Sequence, residues 1–233
     1  MVRSIVVTSV IDAVVEDLRS QVLARELPPD HPLTEAEVAA RYDVARPTAK
    51  AAIERLVGEK VLVRKNHKTA RVVKLGPEDV RDIYLTRVYL ESEVLRRLAA
   101  RRIVPDEARA ANAEIEALWQ QGIWDIVGPD MLFHSSLIDA LGSERTSSAY
   151  ASLAFEVKLC MAQLQGSQRL SPQIIAAEHA LILERIAEGD AAGAATVLDE
   201  HLSRARELLA AALGGEPGPE AFRPSTALPS LTH

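Results

Sequence analysis

The chain has 233 residues, 48% of them hydrophobic but only 4% aromatic, and one cysteine, Cys160. Such a length accommodates two modest domains, and a core filled by Ala, Leu, Val and Ile rather than rings favours helices. A lone cysteine excludes an internal disulfide and suits a reducing cytoplasm; with no apolar run of about 18 residues and no signal-peptide layout, a cytoplasmic protein without membrane contact is expected. The net charge of −6 is unevenly spread: residues 44–75 hold nine Lys/Arg against Glu54 and Glu59, a local +7 that leaves −13 for the remainder. That asymmetry fits a small nucleic-acid-binding module joined to an acidic domain, the alternative being a merely solvated basic surface.

Residues 11–27 read as an amphipathic helix with Ile11, Val14, Val15, Leu18, Val22 and Leu23 on one side, ended by Pro28 and Pro29. Thr34 with Glu37 three residues on is a capping-box signature for a short helix to about Arg41. A tight turn over Tyr42–Ala45 precedes a helix from Arg46 or Pro47 to Glu59, with Pro47 tolerated in the first turn. Two short β-type runs, Val61–Arg64 and Arg71–Lys74, flank a polar tip at Lys65–Ala70. Helix, helix, turn, helix and basic hairpin follow one another in the order of a winged helix-turn-helix, assigned to residues 1–75.

Gly76-Pro77 marks a linker, beyond which every periodic segment is helical: about 78–102, 105–121, 123–142, 146–166, 171–188 and 190–212. Breaks fall at Pro105, Gly122, Gly142, Ser171-Pro172 and Gly189-Asp190. Residues 76–213 are therefore expected to form an all-α antiparallel bundle. The Pro- and Gly-containing tail, 214–233, lacks periodicity and is expected to be disordered.

Within the bundle, Asp130 and His134 are four apart and share one side of a helix. His179 shares its face with Ile175, Ile182, Leu183 and Ile186, and His201 with Val197, Leu198, Ala205 and Leu208. One Asp-x-x-x-His pair is commonly no more than a hydrogen-bonded pair. Three imidazoles and a carboxylate on apolar faces are a different matter, because an unpaired buried polar group costs about 1–3 kcal/mol. Half of the six histidines fall at these positions, a donor set suited to a borderline divalent ion: Zn²⁺ first, with Ni²⁺, Mn²⁺ or Fe²⁺ as alternatives. Trp119 and Trp124 flank a helix break as packing residues, and Phe133, between the first two ligands, is expected to pack behind the site.

These residues resemble a known family: GntR-type bacterial transcription regulators of the FCD class, named for the C-terminal domain of the fatty-acid regulator FadR. The N-terminal likeness rests on LPPDHPLTEAEVAARYDVARPTAKAAIERLVGEKVLVRKNHKTARV, residues 27–72. The more specific C-terminal likeness rests on RVYLESEVLRRLAA, DMLFHSSLIDALG and EHALILERIAEGDAAGAATVLDEHL, at 87–100, 130–142 and 178–202. The resemblance implies a homodimer that binds double-stranded operator DNA, a repressor in the first instance, whose affinity changes when a small carboxylate enters a metal-containing helical domain. On this chain the metal ligands would be Asp130, His134, His179 and His201. Arg87, four before Glu91, would meet the acid's carboxylate or else be a surface Arg paired with Glu91, and Lys158 would face the cavity.

DNA contacts would come from Arg46, Pro47, Thr48 and Lys50 in the recognition helix and from Asn66, His67 and Lys68 in the wing, with Arg46 best suited to guanine. The chain departs from the family pattern at Ala36 and Lys50, where Arg is usual, at Pro47, and at Lys60, where Gly is usual. Alternatives to the effector-responsive regulator are a direct metal sensor and, less favoured, a metal-dependent enzyme. No general-base motif accompanies the ligands, and an enzyme would leave the basic module unexplained.

Overall fold

The structure, a computed structural model, describes residues 9–65, 68–162, 170–223 and 225–227. The chain divides into two compact units, Met1–Leu75 and Gly76–His233.

The first unit contains helices α1 (Val10–Leu23), α2 (Glu35–Tyr42) and α3 (Arg46–Gly58), with strands β1 (Pro32–Leu33), β2 (Leu62–Val63) and β3 (Ala70–Val72). Ser9 caps α1 and exchanges bonds with Asp12 in a capping box, and the Thr34 hydroxyl accepts the Glu37 amide to start α2. α3 opens behind Ala45 with Pro47 in its first turn, where a missing N–H costs nothing. The buried sides of these helices meet through Val14, Val15, Leu18, Val38, Ala49, Ala52, Ile53 and Leu56. The two strands expected after α3 are shorter than the β-type runs in the sequence, and β1 joins them in an antiparallel sheet ordered β1-β3-β2, with Leu33 opposite Ala70 and Leu62 opposite Val72. β1 escaped the sequence reading because a strand of two residues that begins with a proline carries no alternation. Lys60 has φ of 60°, the left-handed backbone that makes Gly usual before a wing, so here a side chain bears that strain.

The second unit is a bundle of α4 (Pro77–Arg101), α5 (Asp106–Gln120), α6 (Val127–Asp139), α7 (Glu144–Ala162), α8 (Pro172–Glu188) and α9 (Ala191–Ala212). Gly76, where the two units divide, also caps α4: its N–H bonds the Asp79 carboxylate, and Pro77 is the first residue of the helix. α4 packs along α9 and also touches α6, α7 and α8, so it is the central rod of the bundle. Asn112 donates its buried amide to the Ala176 carbonyl and ties α5 to α8 beside a cluster of Ile115, Ile126, Ile175 and Ala176. Gly189, at φ 83°, ends α8 in the left-handed conformation that favours glycine, and a Cβ there would lie 3.1 Å from the end of the Arg102 side chain. Among the described residues no helix is long and apolar enough to cross a membrane.

The expected disorder after residue 213 is not what the structure shows for the described part of the tail. Residues 214–223 and 225–227 run back along α9, with a 3-10 turn at Pro219–Phe222. The anchors are polar: the Arg81 guanidinium donates to the Glu216 carbonyl, and the Gly218 N–H to the buried Glu207 carboxylate. A hydropathy reading has no access to such anchors.

Candidate metal centre

Asp130 enters from the first turn of α6, where the partial positive charge of the helix start favours a carboxylate, and His134 follows one turn later. His179 and His201 stand on α8 and α9, which are joined at Gly189-Asp190. His179 precedes Gly189 by ten residues and His201 follows Asp190 by eleven. At 1.5 Å per residue, both lie roughly 15 Å from the turn and therefore at the same height. One potential ligand atom from each of the four residues falls within 4.8 Å of all the others. Asp130 Oδ1 is 3.6 Å from His179 Nε2 and 4.0 Å from His134 Nε2. Donors on a tetrahedral Zn²⁺ with bonds near 2.0 Å stand roughly 3.3 Å apart, so small side-chain rotations separate this arrangement from a coordination shell.

The surrounding groups orient the rings. Glu91 on α4 accepts from His134 Nδ1 at 2.6 Å, from Arg87 Nε at 2.7 Å and from the Tyr150 hydroxyl at 3.0 Å. Burial pushes the Glu91 carboxyl up, but Arg87 and then His134 outweigh it and hold it well below the usual range. An ionised Glu91 makes His134 Nδ1 the protonated nitrogen and leaves Nε2 as an inward lone pair. Glu178 does the same for His201, accepting from Nδ1 at 3.0 Å, while Arg204 and Ser225 donate to its other oxygen. Such carboxylate–imidazole pairs are the usual outer support of a metal-ligating histidine.

His179 has neither kind of support. Its ring is fully buried and stacks on Phe133 with centroids 3.6 Å apart and planes 2° from parallel, and neither ring nitrogen has a hydrogen-bond partner. Burial holds its pKa well below the usual value, with the neighbouring His201 and His134 acting the same way, and burial likewise lowers His134 against the pull of Glu91. Neutral imidazoles are the form a metal takes. His134 Nε2 is also without a partner, so buried nitrogens of two of the four converging residues lack hydrogen bonds, and Nε2 of each fits a divalent ion.

Arg87 is not the surface residue of one sequence reading. It is 1% exposed, paired with Glu91, 4.9 Å above the Tyr84 ring, and its Nη2 has no partner. Lys158 is half-buried on α7 and joins none of the hydrogen bonds around the site. Trp119 and Trp124 meet edge to face at 5.5 Å, as packing residues do. Glu178, Tyr150, Arg204 and Ser225 were not singled out from the sequence. Glu178 left one signal, a carboxylate three residues after the buried Ile175 and four before the buried Ile182. Ser225 left none.

In the first unit Arg46, Pro47 and Lys50 are exposed on α3, opposite its buried Ala49, Ala52, Ile53 and Leu56, and Thr48 is half-buried. Lys68 is exposed; Asn66 and His67 lie outside the described residues. The basic cluster is divided in two. Arg55, Arg64 and Arg71 pair with Asp12 and Glu59, with Glu54 and with Asp30, whereas Arg46, Lys50 and Lys68 have no ion-pair partner among the described residues.

Comparison with known proteins agrees with this architecture. Residues 10–72 match the family of bacterial regulatory proteins of the gntR type, and residues 82–204 match the FCD domain. The chain therefore belongs to the GntR family of transcriptional regulators, in the group whose second domain is an FCD domain. It is 26% identical over 151 residues to the uncharacterized HTH-type transcriptional regulator BphR of Paraburkholderia xenovorans strain LB400, a match covering 60% of this chain and 61% of that relative's length. Its fold is similar to the crystal structure of a GntR transcriptional regulator from Rhodococcus sp. RHA1, with a TM-score of 0.72, 21% identity, and 85% and 96% of the two chains covered. It is also similar to the metal-free FCD domain of the transcriptional regulator TM0439, with a TM-score of 0.51, 24% identity, and coverage of 60% and 97%.

Proposed function

We propose that this regulator binds operator DNA as a dimer through α3 and the wing, acting as a repressor. Its affinity would be set by a small carboxylate held at a metal in the helical domain. The observation that carries the metal reading is His179: a fully buried imidazole with two unsatisfied nitrogens, one of them 3.6 Å from the Asp130 carboxylate. Leaving a buried nitrogen unpaired costs about 1–3 kcal/mol, and a metal held by Asp130, His134, His179 and His201 would remove that cost at His134 Nε2 and at His179 Nε2, the nitrogen that faces Asp130. When bound, a Zn²⁺ ion would supply a Lewis-acidic centre for an acid's carboxylate or hydroxyl, with Ni²⁺, Mn²⁺ or Fe²⁺ chemically acceptable in its place. The free Nη2 of Arg87, buried and held in place by Glu91, supports recognition of that acid's charge.

The unpaired Arg46, Lys50 and Lys68 support the DNA reading, since cations already engaged in internal pairs are less available to phosphate. The TM0439 domain has a form described as metal-free, which is consistent with metal occupancy as a variable in this domain type.

The test is a titration of purified, zinc-loaded protein against the DNA upstream of its own gene, repeated across salt and after chelation, then in the presence of small carboxylic acids. Tight binding that weakens steeply with salt, requires Arg46, and shifts 5- to 150-fold on adding one acid to the metal-loaded form is expected. Metal alone shifting the affinity, with no acid having an effect, would replace this reading by a direct metal sensor. Affinity indifferent to sequence and to Arg46→Ala would overturn the DNA assignment.

A further inference from the structure

The tail that follows α9 is tied to the candidate metal centre by a buried contact. Ser225, 4% exposed, donates its hydroxyl to Glu178 Oε1 at 2.6 Å, and the opposite oxygen of that carboxylate takes the N–H of His201 at 3.0 Å. Around this contact the tail is fastened on both sides. The Arg204 guanidinium donates to the Arg223 carbonyl at 3.3 Å while also pairing with Glu178, and the Thr226 hydroxyl donates to Glu200, next to His201, at 2.8 Å. Upstream, the chain lies so close to the bundle that a Cβ on Gly215 would stand 2.7 Å from Pro77, and one on Gly218 would stand 2.9 Å from Glu207.

The two supported histidines differ in what holds their carboxylates. Glu91 is fixed by Arg87 and Tyr150, both inside helices of the bundle. Glu178 is fixed by Arg204 and by one hydroxyl from beyond the last α-helix. Arg204 reaches Glu178 through one nitrogen and one oxygen only, and a second donor on that oxygen restricts the carboxylate's rotation and so the plane in which its other oxygen holds His201. We infer that Ser225 is a positioning residue of the metal centre, acting through Glu178 on His201, so that the docked tail forms part of the ion's outer support. This rests on the metal reading given above.

The test compares full-length wild-type, Ser225→Ala and Thr226→Ala proteins. Zinc affinity is measured by chelator competition, the visible spectrum after cobalt substitution, and the unfolding midpoint of the metal-free form. Removing a direct partner of a ligand typically weakens metal binding 10- to 100-fold; Ser225 is one bond further out, so a loss of about three- to tenfold is expected in S225A, with altered cobalt bands. T226A, which releases an exposed tail bond away from Glu178, is expected to bind zinc as the wild type does. S225A with wild-type zinc affinity and an unchanged cobalt spectrum would overturn the inference, even if its metal-free form melted lower. Equal losses in both variants would overturn the role of Ser225 through Glu178, since they would indicate an effect of tail docking in general. Failure of the wild-type chain to take up zinc or cobalt would refute the metal reading itself, and the inference with it.

Discussion

At the scale of single residues, the centre is organised by carboxylates that do not belong to its ligand set. Glu91 holds His134 in the tautomer whose Nε2 faces inward and at the same time neutralises the buried Arg87. Replacing it with glutamine keeps the shape but removes the charge, leaving a guanidinium in the core without a counter-ion. Glu91→Gln is therefore expected to lower the unfolding free energy by about 3–5 kcal/mol, read from urea denaturation of the metal-free protein. It is also expected to weaken zinc binding by about 10- to 100-fold. A variant that matched the wild type in both measurements would mean that neither partner depends on this carboxylate. The contrast with His179 is instructive: its ring is positioned by stacking on Phe133 rather than by a hydrogen bond, which leaves both nitrogens without protein partners.

Among the elements, the link between α1 and α2 has a polar fastening as well as an apolar one. The Tyr42 hydroxyl donates to Asp17 at 2.6 Å and receives Gln21 Nε2 at 3.1 Å. Burial, followed by the bond to the Asp17 carboxylate, pushes the phenol from 10.0 up to about 12. The folded state thus retains a proton that the unfolded chain loses first. This contribution is complete below pH 10 and disappears as the pH rises through about 12. Tyr42→Phe should lose stability at neutral pH yet show a shallower alkaline decline between those limits, followed by circular dichroism of the N-terminal unit. An unchanged alkaline limb would show that the phenol does not contribute. The helices of the second unit obey a different economy, in which small Ala side chains on α5, α8 and α9 allow close approach and the polar centre is built inside the resulting bundle.

For the molecule as a whole, all four candidate ligands and both supporting glutamates lie within residues 76–233, and the unpaired cations of α3 and the wing lie within 1–75. Metal binding should therefore act on one unit. Zinc at a thousandfold its Kd is expected to stabilise the helical unit by about 4 kcal/mol while the N-terminal unit unfolds as before, resolved by hydrogen exchange of the two regions with and without chelator. Equal protection of both regions would mean that the units unfold as one. Regulation, on this view, requires that occupancy of the second unit bias the arrangement of the DNA-reading surfaces, for which a differential affinity of about 1–3 kcal/mol suffices.

The order of elements was legible because their signals are local: capping at Thr34, Pro47 in a first turn, glycine at the end of α8, and apolar faces at helical spacing. The candidate ligands could be read the same way, since Asp130 and His134 are one helical turn apart and His179 and His201 are nearly equidistant from one interhelical turn. Arg87 could be identified but not its burial, because an Arg-x-x-x-Glu pair looks alike on a surface and in a core. The tail could not be read at all: its anchors are Glu207, Arg81 and Glu178, distant along the chain, and its own composition is that of a solvated segment. By itself the sequence determined the order of the helices and the helix faces that carry the four candidate donors, because periodicity and capping act over a few residues; that the donors converge is a tertiary fact. Only the tertiary structure decided which carboxylates hold the imidazoles, which cations remain free and where the tail goes, because these depend on pairings between groups tens of residues apart.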